Sequence, residues 1–513
     1  MRIAKAFYLI VAFILLISPA AWAGNVGCMV YNNGLRFSEE ELQRLEASKS
    51  IQYVGVQIGS VAPHFNRVAS RLSASGKKLV VQVWWSEWSR FSLANIAMDA
   101  KIQSAFFDEL IDPIIDAIGP ENIHAIHLLE ESGSCFGTDL VEPGEPDNLL
   151  DGGLSSSYGA PQNSGWQGSG VYGGPWILSM RRHNADFVRF SGGADLFKSA
   201  IWNGSQNSAF RRWVGQRVQG HNHFADHVQK KYPNIRATTW DGPNFGGVFW
   251  CDTPTMLNNI DGFTSNCYSS PRQNYIYART LRTLENDKEL EFMTWMGRGN
   301  VPDAHIRRTL LTGIYAVGSN MITLWEEPQR CYQVPELWDT MEGIYGTFSK
   351  LPVFRHTPQV MVVAGRWGIP SDYLMNFDVA HAYDAEGVGL GRYKLVLADH
   401  AGGHPGMKDY IAGGGLAVVF GAPSFLKEEG ILVPVGKPTD FSGTYRPDKW
   451  WRKTFGLKAE YKLNVKSTPN FAIGDAVHKV DDLAYHIRYG RGQVLVLPGT
   501  PATIPIGSFW FMT

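Results

Sequence analysis

Eight short apolar runs recur along the first two thirds of the chain: Gly27–Tyr31, Gln52–Ile58, Leu79–Trp85, Ile123–Leu129, Ile235–Trp240, Gly262–Cys267, Leu290–Trp295 and Asn320–Trp325. Their length and their β-branched and aromatic content mark strands. Amphipathic stretches lie between them, at Glu39–Ser48, Ala105–Ile118, Phe210–Lys231 and Ala304–Val317. Strand and helix alternating eight times in succession predict a (β/α)8 TIM barrel over residues 24–350. An open doubly wound sheet also alternates, but eight units in a row favour closure.

The pattern restarts near Thr357-Pro358. Val360–Val363, Tyr393–Ala398, Leu416–Phe420 and Gln493–Leu497 read as strands, and Met407–Ala412 as a short helix. Residues 357–513 are therefore expected to form a second, flavodoxin-like α/β domain with parallel strands, ending on the apolar Phe509-Trp510-Phe511. Within the barrel, the segment from Gly133 to Gly193 is long and rich in Gly, Ser, Pro and aromatic residues. Following the fourth strand, it falls on the carboxyl-terminal face, where barrels of this kind build their sites, and it reads as a substrate-binding loop.

Composition adds a compartment. Met1-Arg2 and Lys5 precede an apolar run from Ala6 to Ile17, and Ala21-Trp22-Ala23 follows. This is the layout of a secretory signal peptide over residues 1–23, so a periplasmic or secreted protein is expected, with no membrane span after cleavage. Five cysteines in an exported chain allow two bridges, and Cys251 with Cys267, flanking one segment, form the preferred pair. A net charge of −1 offers nothing to a nucleic acid, and none is expected as a partner. Seventeen tryptophans in an exported chain point instead to carbohydrate, because flat rings match the C–H faces of sugars.

The second domain carries a resemblance. Tyr393-Lys394-Leu395-Val396-Leu397-Ala398, then Tyr410-Ile411-Ala412-Gly413-Gly414-Gly415, then Tyr489-Gly490-Arg491-Gly492-Gln493-Val494 look like the trimerisation domain of family 42 glycoside hydrolases, the β-galactosidases. In that family the amidotransferase-like domain follows a clan A barrel, in the order found here. The resemblance implies a non-catalytic second domain, raises the expectation of a homo-oligomer, and implies a glycosidase site at the barrel mouth without a cofactor.

It also implies an acid/base glutamate at the end of strand 4. That strand ends His127-Leu128-Leu129-Glu130-Glu131, and Glu131 falls in the expected position, with Glu130 in place of the usual Asn. Alternation puts Ala125, His127, Leu129 and Glu131 in one row. A buried carboxylic acid there would protonate the leaving oxygen. At strand 7 the resemblance breaks. The family's nucleophilic Glu is replaced by Trp295 or Met296, while Glu291 lies at the strand's start, on the far end of the barrel.

The second carboxylate must then come from elsewhere. Strand 8 ends Trp325-Glu326-Glu327, and Glu327 shares the parity of Trp325, which would floor the reacting sugar. Strand 5 ends Trp240-Asp241, which keeps Asp241 as the alternative. A retaining pair stands ~5–5.5 Å apart and an inverting pair ~6.5–9.5 Å. Further substrate contacts are expected from Trp84, Trp85, Glu130, His127, Trp240, Trp295, Arg298, Trp325 and Glu326, with Glu87, Trp88 and Tyr268 as additional rim residues.

His223 and His227 have metal-ligand spacing, but no Glu follows the first His and their helix lies on the outside of the barrel; a solvated or lightly packed face is expected, not zinc. Gly413–Gly415 lacks the spacing of a nucleotide loop. Two functions remain: an exported glycoside hydrolase, or a catalytically inactive barrel that binds a polysaccharide in envelope or exopolysaccharide assembly.

Overall fold

The computed structural model describes residues 21–32, 35–58, 61–83, 96–97, 99–128, 208–241, 259–267, 279, 282–283, 288–295, 303–325, 335–354, 358–364, 377–381, 388–398, 404–421, 423–446, 449, 459–468, 470–472, 474–480 and 483–497. The long segment from Gly133 to Gly193 and the terminal Phe509-Trp510-Phe511 lie outside them, as does Cys251 of the expected bridge. The chain divides into two compact units, Met1–Asn274 with Asp287–Arg355, and Tyr275–Asn286 with His356–Thr513. The second unit thus takes in a stretch between barrel strands that the hydrophobic pattern had assigned to the barrel.

The first unit is a closed barrel of eight parallel strands. They are β1 (Gly27–Asn32), β2 (Tyr53–Ile58), β3 (Lys78–Val83), β4 (Ile123–Leu128), β5 (Arg236–Asp241), β6 (Gly262–Cys267), β7 (Glu289–Trp295) and β8 (Met321–Trp325). Each matches a run read from the sequence to within about two residues, the usual scatter of element ends. β8 pairs back onto β1, Met321 opposite Gly27 and Thr323 opposite Met29, which closes the ring. The order is (β/α)8, with α1 (Glu39–Ala47), α2 (Phe65–Ala74) and α3 (Ala100–Phe106) after the first three strands. A π turn, Phe107–Ile111, continues α3 into α4 (Asp112–Ile118). The long helix α5 (Ser208–Lys231), then α6 (Asp303–Leu311) and α7 (Pro335–Phe348), follow β4, β7 and β8.

Local chemistry explains these helices. Ser38 starts α1 by accepting from the Glu41 amide while the Glu41 carboxylate takes the Ser38 amide, a reciprocal capping box. Asp99 caps α3 from one side, its carboxylate accepting from the Lys101 and Ile102 amides. Leu42 and Leu45 of α1, and Phe65, Val68, Ala69 and Leu72 of α2, form the buried stripes that face the strands. Ala21–Asn25, which straddles the expected cleavage site, runs antiparallel to Pro352–Phe354.

The second unit is built on a seven-stranded sheet. Five parallel strands, β9 (Val360–Ala364), β10 (Phe377–His381), β11 (Leu395–Ala398), β12 (Leu416–Phe420) and a last strand Gly492–Leu497, lie in the order second, first, third, fourth, last. That is the doubly wound order of flavodoxin-like folds. Strands Tyr485–Tyr489 and Val477–Lys479 extend the edge antiparallel. Helices α8 (Met407–Ala412) and α9 (Ser424–Glu428) follow β11 and β12. The sheet is buried on both faces, which is why its strands read as unbroken apolar runs such as Leu-Ala-Val-Val-Phe. Sequence periodicity missed Phe377–His381, the antiparallel edge, and a separate hairpin of Thr439–Tyr445 with Tyr461–Thr468. Thr439–Tyr445 is largely exposed, so no buried stripe marks it.

Candidate active site

Barrel interiors are ordinarily packed with layers of branched apolar side chains. Here the lumen holds a small apolar cluster of Met29, Tyr31, Val80, Ala125, Met293 and Met321. Tyr31 lies flat over β2, where a Cβ at Gly55 would come within 2.5 Å of its ring, so only glycine fits there. Around that cluster the inward rows turn polar.

The polar part is one connected network across five successive strands. His127 of β4 is buried, with Nδ1 2.6 Å from the Thr238 hydroxyl of β5 and Nε2 3.3 Å from Oε2 of Glu291 on β7. Thr264 of β6 donates to Oε2 of Glu291 at 2.7 Å and stands 3.2 Å from His127 Nε2. Thr323 of β8 donates to Oε1 of Glu291 at 2.5 Å. Thr238 also donates to the Ile126 carbonyl at 3.1 Å. Glu291 therefore accepts from neighbours on both sides while only 4% exposed. A buried carboxylate is tolerable only when its lone pairs are met in this way.

A second, lower ion pair sits two residues earlier on β7. Glu289 binds His124 at 3.0 Å and pairs with Arg236 of β5. Burial works to raise the Glu289 carboxyl, but the His124 hydrogen bond and the His124 and Arg236 charges outweigh it and hold it below its ordinary value. Tyr53 packs on His124 with ring centroids 4.5 Å apart.

Of the residues singled out from sequence, His127 is in the lumen, as alternation predicts, but it is buried against Thr238, Thr264 and Glu291. The backbone positions of Trp240, Asp241, Trp295 and Trp325 are the last ones of β5, β7 and β8. Trp295 and Trp325 are register partners. Their positions continue the rows of Glu291–Met293 and Met321–Thr323. Trp240 counts with Thr238, whereas Asp241 counts with Ala237 and Thr239, the opposite row. Glu130, Glu131, Trp84, Trp85, Glu87, Trp88, Tyr268, Arg298, Glu326 and Glu327 lie outside the described residues.

Sequence reasoning placed Glu291 at the foot of β7 and missed what it does there. The signal was present in threonines at inward positions of three apolar strands, Thr238, Thr264 and Thr323, each a hydroxyl needing a partner. On α5, His223 and His227 are half-buried, the lightly packed alternative of the two expected for that face. His227 binds Asp112 at 2.8 Å and stacks on Phe107 with centroids 3.8 Å apart. Lys231 and Tyr232 complete the Asp112 cluster at 2.7 and 3.2 Å.

Such a protein is, in class, a parallel (β/α)8 barrel with a polar lumen, joined in one chain to a doubly wound α/β unit. No family model matches the sequence, and no curated protein matches it. Solved structures do share its fold. A catalytic mutant of a GH42 β-galactosidase from G. stearothermophilus aligns over 93% of this chain and 86% of its own, with a TM-score of 0.57 at 11% identity. A β-galactosidase from the Antarctic haloarchaeon Halorubrum lacusprofundi aligns over 94% and 89%, with a TM-score of 0.56 at 12% identity. One from the psychrophilic Marinomonas ef1 aligns over 92% and 88%, with a TM-score of 0.55 at 11% identity. The likeness spans nearly the whole chain and is one of fold.

Proposed function

We propose that this chain is an exported glycoside hydrolase acting on a poly- or oligosaccharide at the carboxyl-terminal mouth of the barrel. Glu131 protonates the leaving oxygen, and Glu327 supplies the second carboxylate. The observation that best supports this reading is the pair of inward rows, Ala125–His127 on β4 and Met321–Thr323 on β8. Counting on by twos from His127 and Thr323 arrives at Glu131 and Glu327. Counting from Thr238 arrives at Trp240 and passes over Asp241, which leaves Asp241 the weaker alternative. The three solved neighbours are β-galactosidases, which favours the glycosidase class over other barrel chemistries. An oxocarbenium-like transition state needs a negative charge or an activated water opposite the acid, and Trp295 and Met296 offer neither.

The test is a panel of p-nitrophenyl glycosides and natural oligosaccharides with the intact chain. Glu131→Gln should abolish turnover with the melting temperature nearly unchanged, and azide should rescue Glu327→Ala if that residue is the nucleophile. Full activity in both Glu327→Ala and Asp241→Ala would sink this mechanism. A second reading is kept by the residues at the end of β7, where no carboxylate stands: a barrel that binds a polysaccharide without cleaving it. Binding without turnover by the wild type would decide for it. Export, and self-association through the second unit, belong to the same proposal. They are checked by the amino terminus of the exported protein and by sedimentation of the full chain.

A further inference from the structure

The network from Thr238 to Thr323 is closed on itself. Gln82, in the same lumen, is not. It is the next-to-last residue of β3 and the register partner of His127 on β4 and Gln57 on β2. Two residues earlier in its row, Val80 belongs to the lumen cluster. Gln82 is wholly buried, yet among the described residues neither its carboxamide nitrogen nor its oxygen has a hydrogen-bond partner. Leaving both ends of an amide unmet costs free energy, and the neighbouring Leu79, Val80, Val81 and Val83 show what packing alone selects on this strand. A glutamine retained there answers to something other than packing.

We propose that Gln82 binds a neutral, hydroxyl-bearing ligand that enters the barrel through its carboxyl-terminal mouth, one residue beyond on β3. The carboxamide sets a donor and an acceptor side by side. A pair of neighbouring hydroxyls, each able to give and to accept, satisfies both at once. An anion would leave the amide oxygen facing another acceptor, and an ammonium group would leave the nitrogen facing another donor. The inference rests on the carbohydrate reading of the barrel and assigns Gln82 one hydroxyl pair of the bound sugar.

The experiment compares the full-length wild type with Gln82→Met and Gln82→Leu, in two measurements. The first is the melting temperature of each protein alone. The second is the response of each to D-galactose, D-glucose, D-mannose and D-xylose, by melting shift and by KM on the corresponding p-nitrophenyl glycosides. Both variants should melt higher than the wild type when alone and bind the preferred sugar about tenfold more weakly, the worth of one or two hydrogen bonds. A deoxy analogue lacking one hydroxyl of the pair should then bind wild type and variant alike. Lower melting temperatures in both variants would show that Gln82 has its partner inside the protein and would overturn the inference. So would an unchanged sugar response in a more stable variant, with the hydrolase reading left standing. If the wild type neither cleaves nor binds any of these sugars, the carbohydrate reading fails and takes the ligand of Gln82 with it.

Discussion

The barrel lumen and the core of the second unit solve the problem of a buried interior in opposite ways. One face of the second sheet packs Met361, Val363, Val396, Ala398, Ala417, Val419, Val494 and Val496 into an apolar layer. A polar cluster lies at the edge of that layer, where Asp378 of β10, the register partner of Met361, takes Arg279, Arg392 and Tyr393 at 2.7, 2.9 and 2.6 Å. The lumen instead spends inward positions of five strands on His127, Thr238, Thr264, Glu291 and Thr323. Groups buried in this manner are costly unless every one is met, and an apolar interior of equal volume is often as stable or more so. The contrast fits a barrel shaped by the demands of a site and a second unit shaped by packing.

Breaking the lumen network should have the largest effect. Glu291→Ala removes the acceptor shared by Thr264, Thr323 and His127 and leaves all three buried. A loss of about 3–5 kcal/mol is expected, of the size seen when one member of a buried polar pair is deleted. Denaturant unfolding measures it. A loss below about 1 kcal/mol would mean that the network is not holding the strands.

The second unit should fail by a different route and somewhat less severely. Ile487 is fully buried in its apolar core, and Ile487→Ala should cost roughly 2–4 kcal/mol, as lost burial plus the cavity left behind. The spread between these two variants tests whether polar or apolar contacts carry the greater local penalty.

The legibility of each region in the sequence follows from the same contrast. All eight barrel strands were visible because each is an apolar run between amphipathic helices, and the parity of His127 followed from simple alternation. The parallel strands of the second unit were equally plain, apart from Phe377–His381, whose opening Phe-Asp-Val is broken by the charge of Asp378. Glu291 was placed correctly along β7 and misjudged, because its partners come from strands far away in sequence. Periodicity gives the face of a residue; it does not say which hydroxyl from another strand will meet it. The Tyr275–Asn286 stretch was assigned to the barrel because it lies between barrel strands, whereas Arg279 and Thr283 bind Asp378 of β10. Nothing local in its pattern announces that.

A matched pair of isosteric swaps sharpens the comparison at smaller amplitude. Thr264→Val in the lumen removes one donor to Glu291, and Val419→Thr in the second core inserts a hydroxyl among apolar neighbours. Each should cost about 1–2 kcal/mol, in opposite chemical directions. If Thr264→Val were neutral and Val419→Thr costly, the lumen would be tolerating its hydroxyls rather than using them.

Acid should produce the smallest change near neutrality and the most selective one. Among the described residues three carboxylates of the barrel unit are held below their ordinary values, and solvent screens one of them, the exposed Glu39 on Arg71. Of the remaining two, Glu289 in the lumen is one, with His124 and Arg236 outweighing its burial. Asp112, on the outer helices, is the other; burial raises it, but hydrogen bonds from Lys231 and His227 lower it further. A carboxyl whose folded value is depressed binds fewer protons folded than unfolded, so its contribution is complete above the unfolded value, near 4. That contribution is lost as pH falls through the folded value. Among the described residues of the second unit the depressed carboxylate is Glu429, which pairs with Lys408 and accepts from Tyr489 at the surface, where solvent screens it. Stability should therefore be flat from neutral pH down to about 5 and then fall, with the barrel unit failing first. Calorimetry across that range, with Asp112→Asn as the control, reads the order directly. The variant should lose stability at neutral pH and show a shallower acid slope. A second unit that melts before the barrel as pH drops would mean that these two carboxylates do not set the acid limit.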